Sequence, residues 1–218
     1  MIHNTAILPL GRYYTHLRDD VVKLVPTTAR NILSVGCGAG VTEAKLLSEG
    51  RRVVGIESNP DVAGMARSKG LEVLCGDAET MELDPHIPDF DCIIYADILE
   101  HLHRPESVIT RHAERLAKGG HVLVSVPNFR FVVSLYRLIV GTWEYKDAGI
   151  CDRTHLRITT RHIVRQWLEQ AGLTVTECIP LYHRRRWKWA SKLTLGLLSG
   201  FFAAQLLLLA RKSPTAHN

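Results

Sequence analysis

Short apolar runs alternate with segments of helical periodicity along this chain. The apolar runs predict strands at residues 32–35, 52–56, 71–74, 91–95, 121–126 and 173–179. Apolar residues at helical spacing, bounded by proline, glycine or capping residues, predict helices at 12–24, 42–49, 60–69, 105–118, 129–140 and 161–171. This alternation predicts an α/β fold with a parallel, doubly wound sheet and right-handed crossovers.

The first predicted strand continues directly into a glycine-rich turn. Gly36, Gly38 and Gly40 allow a sharp turn and the close approach of a ligand to the backbone, although the same pattern also suits a turn that binds nothing. A helix that begins at Val41 directs free N–H groups toward such a ligand, so a carboxylate, a phosphate or ribose oxygens are expected there. Val41 replaces the third glycine of the dinucleotide fingerprint, which disfavours NAD. Glu57 ends the second strand, where a carboxylate can accept hydrogen bonds from both ribose hydroxyls.

Composition and charge restrict the classes of protein. With 218 residues, 46% of them hydrophobic, the chain 1–218 suits a single domain with a sizeable core. The five cysteines are an odd number without a Cys-x-x-Cys pair, which argues against disulfides and a zinc site and predicts a reducing, cytoplasmic compartment. His101 and His103 are two potential ligands, but no cysteine lies near them and no metal is expected. The net charge of +5 is too diffuse to indicate nucleic-acid binding.

Five segments of the chain occur in a diagnostic order. They are Val-Gly-Cys-Gly-Ala-Gly at 35–40, Glu57, Gly-Asp-Ala-Glu at 76–79, the run 90–95 with Leu-Glu-His-Leu at 99–102, and the run 116–126. In this order the chain resembles class I S-adenosylmethionine-dependent methyltransferases over roughly residues 10 to 180. The resemblance implies a Rossmann-like, mostly parallel seven-stranded sheet with an antiparallel last strand. The stretch 129–158 is then a small helical lid inserted above the sheet for the acceptor.

The resemblance also implies the cofactor, S-adenosylmethionine, and the product, S-adenosylhomocysteine. Its expected binding residues are Gly36, Cys37, Gly38, Gly40, Glu57, Ser58, Asp77, Ala78, Tyr95, Ala96 and Tyr14. The glycines would lie along the methionine and the ribose, Glu57 would hold the ribose, and Asp77 would accept a hydrogen bond from the adenine amino group. Tyr14 would contact the methionine carboxylate, or else it is a surface aromatic that anchors the first helix.

The acceptor side depends on the segment Asp-Arg-Thr-His-Leu-Arg at 152–157, which lies in a stretch without clear periodicity. It resembles a segment that faces the active site in methyltransferases acting on lipid, quinone or sugar-linked acceptors. Ile158 and Thr159 replace the two phenylalanines that usually follow there. An oxygen acceptor must lose a proton, so His155 is the first candidate for a general base and His101 the second, with a structural histidine as the alternative.

Three charged residues of the same segment are candidates for binding the acceptor. Arg153 and Arg157 would hold an acidic or phosphate group of the acceptor, with Asp152 beside them. Alternatively, Asp152 and the two arginines pair with one another and only order the loop. The expected partner is a small or lipid-like acceptor, and the sequence gives no oligomeric state.

The tail of the chain leaves three alternatives open. Residues 183–192 are basic and aromatic, and residues 193–210 hold no charge over a length near the minimum for a membrane span. In similar enzymes an antiparallel strand comes last, and 203–211 suits that strand, with 187–202 as a helix or loop. A basic, aromatic helix on a membrane surface, with contact through 183–202, is the second alternative, and a true span is the third.

The function expected from these observations is O-methyl transfer from S-adenosylmethionine. The enzyme is expected in the cytoplasm, either free or associated with a membrane surface. The first alternative is a methyltransferase-like partner subunit without activity, because Val-Pro-Asn-Phe at 126–129 and the following apolar helix also resemble the methionine-biosynthesis protein of this fold. A nicotinamide-dependent reductase is the second alternative, disfavoured by Val41 and by the lack of a Tyr-x-x-x-Lys pair.

Overall fold

The computed structural model describes residues 16–213, which form a seven-stranded sheet with helices on both faces. The strands are β1 (Asn31–Val35), β2 (Arg52–Glu57), β3 (Glu72–Cys75), β4 (Phe90–Ala96), β5 (Leu116–Pro127), β6 (Leu173–Leu181) and β7 (Gln205–Lys212). The α-helices are α1 (Asp19–Leu24), α2 (Val41–Ser48), α3 (Pro60–Arg67), α4 (Pro105–Glu114), α5 (Val132–Ile139), α6 (Arg161–Gln170), α7 (Arg185–Leu193) and α8 (Ser199–Phe202). A short 3-10 helix covers Leu99–His101.

The strand order is β3-β2-β1-β4-β5-β7-β6, and β7 is antiparallel to both of its neighbours. The predicted sheet with an antiparallel last strand is therefore confirmed. The chain moves outward from β1 to β3 and then returns to the other side of β1, so the order switches between β1 and β4. Open α/β sheets bind ligands at the carboxyl ends of the strands at such a switch point.

The two faces of the sheet bury different helices. Leu33 and Val35 point into a core that includes residues of α4 and α6, whereas Ile32 points into a second core with residues of α1 and α2. This alternation follows from the period of two along a strand. Both faces of the central strands are covered, which is why β1 and β4 read as continuous apolar runs in the sequence.

The helix starts follow the predicted capping residues. The Asn59 side chain accepts hydrogen bonds from the backbone N–H groups of Asp61 and Val62, and the Thr160 hydroxyl accepts from that of Ile163. Pro105 occupies the first turn of α4, where its missing N–H is not needed.

Two helix boundaries differ from the prediction. Helix α4 ends at Glu114, short of the predicted end at residue 118, because Leu116 already pairs with Phe90 in the sheet and both side chains are fully buried. Helix α5 begins at Val132, later than predicted, because the Asn128 side chain first bends the chain by accepting from Arg130 N.

The tail forms α7, α8 and β7, so the predicted last strand with a helical segment before it is confirmed. In the described part of the chain, the structure contains no helix that has both the length and the apolar character needed to cross a bilayer. Residues 193–210 comprise the last residue of α7, the turn 194–198, α8, a two-residue connection and most of β7. The predicted contact of Tyr14 lies outside the described residues.

Candidate active site

The turn after β1 requires glycine for two reasons. Gly36, Gly38 and Gly40 have φ values of 72°, 54° and 71°, in the left-handed region that other residues rarely adopt. A Cβ at Gly36 would also lie 2.9 Å from Cγ1 of Ile98, and one at Gly40 would lie 3.0 Å from Cβ of Ala66. The turn is thus pressed against its neighbours and leaves its backbone accessible to a ligand.

The Glu57 carboxylate is oriented by this turn. It is buried, with Oε2 accepting from Gly38 N at 3.0 Å and Oε1 accepting from Asn59 N at 2.9 Å. Each carboxylate oxygen can accept a further hydrogen bond. A ribose diol is the kind of group that a fixed, acceptor-only carboxylate can bind, so these residues fit the nucleoside of S-adenosylmethionine.

Asp77 and Ala78 follow β3 beside Glu57, because Gly76 N donates to the Glu57 carbonyl at 3.0 Å. Asp77 is exposed, and its Oδ1 accepts from Glu79 N at 2.8 Å in a tight turn. Ala78 is buried, and its carbonyl accepts from Arg111 at 2.6 Å. The structure therefore brings the predicted adenine residues to the same edge as the glycine turn.

The other predicted cofactor residues divide between surface and core. Ser58 is exposed beside Glu57, and Ala96 is half-buried at the end of β4. Cys37 is buried, and burial raises the pKa of its thiol, so the thiol stays protonated.

The prediction that Tyr95 lines the site is wrong for its side chain. The ring is fully buried, and the hydroxyl forms a 2.9 Å hydrogen bond with Nδ1 of His112 on α4. The alternation along β4 turns this side chain into the core, so only the Tyr95 backbone can face a ligand.

A polar network that the sequence did not predict lies at the ends of β4 and β5. Asp97 has a φ of 57° and accepts hydrogen bonds from Ser125 (3.0 Å), Arg18 and Gln205. These four residues come from α1's N-cap, β4's end, β5 and β7, so no local pattern connects them. The only sequence signal is that Asp97 directly follows a buried strand.

The predicted base, His155, meets Glu100 and His101 above the sheet. His155 Nδ1 lies 3.2 Å from the Ile150 carbonyl, which places the proton on Nδ1 and leaves the Nε2 lone pair 3.9 Å from Glu100 Oε1. The rings of His101 and His155 are 4.8 Å apart, edge to face. Burial, followed by the effect of His101, lowers the pKa of His155, so its imidazole is neutral near pH 7.

Glu100 is almost fully buried, and burial raises its pKa well above the usual value. Its Oε2 has no hydrogen-bond partner among residues 16–213. Glu100, His101 and His155 each offer a ligand-type atom, and these atoms lie within 4.8 Å of one another. The prediction that no metal binds rested on the pair His101 and His103 alone. The fold instead brings together three groups that could hold a divalent cation or pass a proton.

Comparison with known proteins decides the family. Residues 10–178 match the family model of a methyltransferase domain, which is most of the chain. The chain belongs to the methyltransferase family. It is an S-adenosylmethionine-dependent methyltransferase of class I, and the residues of the glycine turn, Glu57 and Asp77 fit that cofactor.

Among curated proteins, the methyltransferase is 27% identical over 186 residues to a ubiquinone biosynthesis O-methyltransferase from Xylella fastidiosa, covering 81% of this chain and 73% of the relative. A ubiquinone biosynthesis O-methyltransferase from Aromatoleum aromaticum is 24% identical over 155 residues, covering 69% of this chain and 66% of the relative. These matches favour an enzyme over the inactive partner subunit and over a nicotinamide-dependent reductase.

Solved structures show the same fold. A methyltransferase from Thermotoga maritima is similar with a TM-score of 0.63 and 18% identity, covering 89% of this chain and 86% of that one. Magnesium protoporphyrin IX methyltransferase from Synechocystis, solved with S-adenosylhomocysteine, is similar with a TM-score of 0.60 and 16% identity, covering 84% of this chain and 74% of that one.

The charged residues predicted to bind the acceptor have other partners in the methyltransferase. Asp152 is buried, and its Oδ1 accepts from Thr154 N at 2.8 Å and from the Thr154 hydroxyl at 2.7 Å. Arg153 pairs with the exposed Asp147 at 2.9 Å, and Arg157 donates to the His103 carbonyl. The Asp152 carboxylate therefore orders the loop, and its contact with an acceptor stays a prediction. The alternative that Asp152 pairs with the arginines is wrong.

An aromatic pair that the sequence did not assign to the site begins beside His155. Phe129 lies 6.2 Å from the His155 ring and stacks on Trp143 at 6.1 Å, both measured between ring centroids. Phe129 N donates to the Thr159 carbonyl, which fixes this residue at the end of β5. The methyltransferase thus has an aromatic wall next to its candidate base.

Proposed function

We propose that this methyltransferase transfers a methyl group to a hydroxyl oxygen of a lipid-like or sugar-linked acceptor, with His155 as the general base. The observation that carries the proposal is the arrangement of His155. Its Nδ1 proton is held toward the Ile150 carbonyl, and its Nε2 lone pair lies among Glu100, His101 and an aromatic wall.

When bound, S-adenosylmethionine supplies a methyl group already activated by the positive sulfonium. The protein then has to align the acceptor and exclude water, which can contribute roughly 7 to 11 kcal/mol. Gly36, Gly38 and Glu57 hold the nucleoside side of the site, and the Asp97 network holds the end of β4 next to it.

His155 would take the hydroxyl proton on Nε2 as the oxygen is methylated. A neutral imidazole can do this, and the lowered pKa keeps His155 neutral at physiological pH. The resulting imidazolium would lie 3.9 Å from Glu100 Oε1, and this positive charge would favour ionisation of the buried Glu100 carboxyl.

Two observations support a lipid-like acceptor. The apolar side chains of Leu156 and Ile158, which follow His155 in the chain, are 50% and 62% exposed, and Phe129 beside His155 stacks on Trp143. The curated relatives are named for ubiquinone biosynthesis, whose product is a lipid quinone.

The test uses methyl-labelled S-adenosylmethionine, a total lipid extract and the purified protein. We expect label in the organic phase, and we expect the His155→Gln variant to lower the rate by roughly 100-fold or more while cofactor affinity stays unchanged. His103→Gln is the matched control, because His103 is exposed and pairs with Glu79 at 3.0 Å outside the cluster. Hydrolysis of the labelled product then identifies the atom that carries the methyl group.

Label on nitrogen, or full activity in His155→Gln, would contradict the proposal. A second arm adds a chelator to the wild-type reaction. Loss of activity with the chelator, restored by a divalent cation, would assign Glu100, His101 and His155 to a metal and replace the role of His155 as a base.

A further inference from the structure

The segment between β6 and β7, residues 183–202, is strongly positive. It carries the five basic residues Arg184, Arg185, Arg186, Lys188 and Lys192, all of them exposed. The sequence contains no aspartate or glutamate after Glu177. The positive charge of this segment is therefore not neutralised by acidic residues within it.

The same segment exposes large apolar side chains. Leu193, Leu195 and Leu197 are 84%, 90% and 85% exposed, and Trp189 is 64% exposed. Leu195 also has a φ of 50°, a conformation that leucine rarely adopts, in the turn after α7. Contiguous exposed apolar groups mark interaction sites, and the combination with basic residues and tryptophan is typical of a bilayer interface.

The segment is anchored to the protein by its inner side. The Trp187 ring contacts Phe131 at 5.6 Å and stacks on Phe202 at 5.8 Å, and Tyr182 donates to the Ser191 hydroxyl at 2.9 Å. These contacts hold the segment in place, so Leu193, Leu195 and Leu197 project from an ordered surface. Leu181 and Gln205 are paired at its base, which places the segment at the carboxyl edge of the sheet, the edge that carries the active site.

Two further arginines add positive charge beside the segment. Arg130 and Arg161 line a recess together with Leu197 and Phe201, and the Arg130 guanidinium lies 4.4 Å above the Phe201 ring. The guanidinium groups of Arg130 and Arg161 could bind a phosphate in this recess, next to the exposed Leu197.

We propose that residues 184–198 dock this protein onto an anionic lipid bilayer, with the leucines and Trp189 in the interface and the basic residues against lipid phosphates. A second copy of the chain fits this surface poorly, because two sets of five positive charges would then meet. Since α7 has only 9 residues, the segment lies on the bilayer without crossing it. The inference does not depend on the proposed acceptor, and it explains how a lipid-like acceptor would reach the site.

The test is sedimentation of the full chain with vesicles. We expect binding to equimolar phosphatidylcholine and phosphatidylglycerol, weakening as salt is added, and no binding to phosphatidylcholine alone. The R184Q/R185Q/K188Q variant should lose roughly 100-fold in partition coefficient, because each basic residue near an anionic surface contributes about fivefold. L193S/L197S should also weaken binding.

The matched control is K23Q/R30Q/K118Q, which removes the same charge from α1, from the residue before β1 and from β5. This control should bind vesicles like the wild type. Absence of wild-type binding, or an equal loss in both triple variants, would overturn the proposal and leave an acidic protein surface as the occupant. Calorimetry with S-adenosylmethionine in each variant confirms the fold and separates this result from any failure of the proposed methyl transfer.

Discussion

Glu57 and Tyr95 stand at the carboxyl ends of buried strands, yet only the Glu57 side chain faces the candidate cofactor site. Glu57 turns toward the glycine turn and is held by two backbone N–H groups, whereas Tyr95 turns into the core and bonds to His112. Both residues were predicted as cofactor contacts. Successive side chains of a strand point to opposite faces of the sheet, so a shift of one residue reverses the side to which a side chain points. The sequence pattern does not show to which side Tyr95 points.

The buried Tyr95–His112 pair makes stability depend on pH. Burial lowers the pKa of His112 to about 4, whereas an unfolded histidine binds a proton below about pH 6.5. The unfolded state therefore binds more protons in this window, and the free energy of unfolding falls as the pH falls. From about pH 7 to about pH 5 the pair should account for a loss of about 2 kcal/mol.

Urea unfolding at the two pH values measures this loss in the wild type and in Y95F/H112L, which replaces both partners by apolar groups. The wild type should lose about 2 kcal/mol more than the variant. Burial raises the pKa of Glu43 to about 7, which acts in the opposite direction, but this effect is present in both proteins and cancels. An identical pH dependence of the two proteins would contradict the assignment.

At the residue scale, motif residues could be predicted and partners from distant segments could not. The glycines, Glu57 and Asp77 belong to local motifs, and the structure brings them together as expected. The contacts of Asp97 with Arg18 and Gln205 span 79 and 108 residues, so only the fold reveals them. The same is true of Glu100 beside His155.

At the scale of elements, helix starts were easier to predict than helix ends. Asn59 and Thr160 act locally on the N–H groups of the first turn, which a short sequence pattern records. The end of α4 depends instead on Leu116 pairing with Phe90, a tertiary contact. Residues 193–210, which carry no charge, likewise form most of β7 only because β5 and β6 pair with that strand on both sides.

The cap of α3 gives a test at this scale. Asn59→Ala removes the oxygen that accepts from Asp61 N at 3.0 Å and Val62 N at 3.2 Å, and should lower the free energy of unfolding by about 1 kcal/mol. Asn59→Ser keeps an acceptor and should retain most of the stability. Urea unfolding of the three proteins measures this effect, and equal stability of Asn59→Ala and the wild type would refute the role of the cap.

At the scale of the whole molecule, the strand order places the candidate groups on one edge of the sheet. The switch between β1 and β4 opens the cleft, β2 and β3 bring Glu57 and Asp77 to it, and the loop after β5 brings His155. Because β7 returns between β5 and β6, the basic segment also lies at this edge. A single face thus combines a cofactor site, an acceptor site and a lipid-facing surface in our proposals.

The measurement that tests the central claim most directly is calorimetric titration of S-adenosylmethionine into the wild type, Glu57→Ala and the control Glu82→Ala, an exposed glutamate. Loss of the charged hydrogen bonds of Glu57 should weaken binding by roughly 1.5 to 3 kcal/mol, or roughly 10- to 150-fold, with the control unchanged. Circular dichroism verifies that each protein is folded. Equal affinity in Glu57→Ala and the wild type, or no binding to the folded wild type, would contradict the cofactor site described for the glycine turn and Glu57.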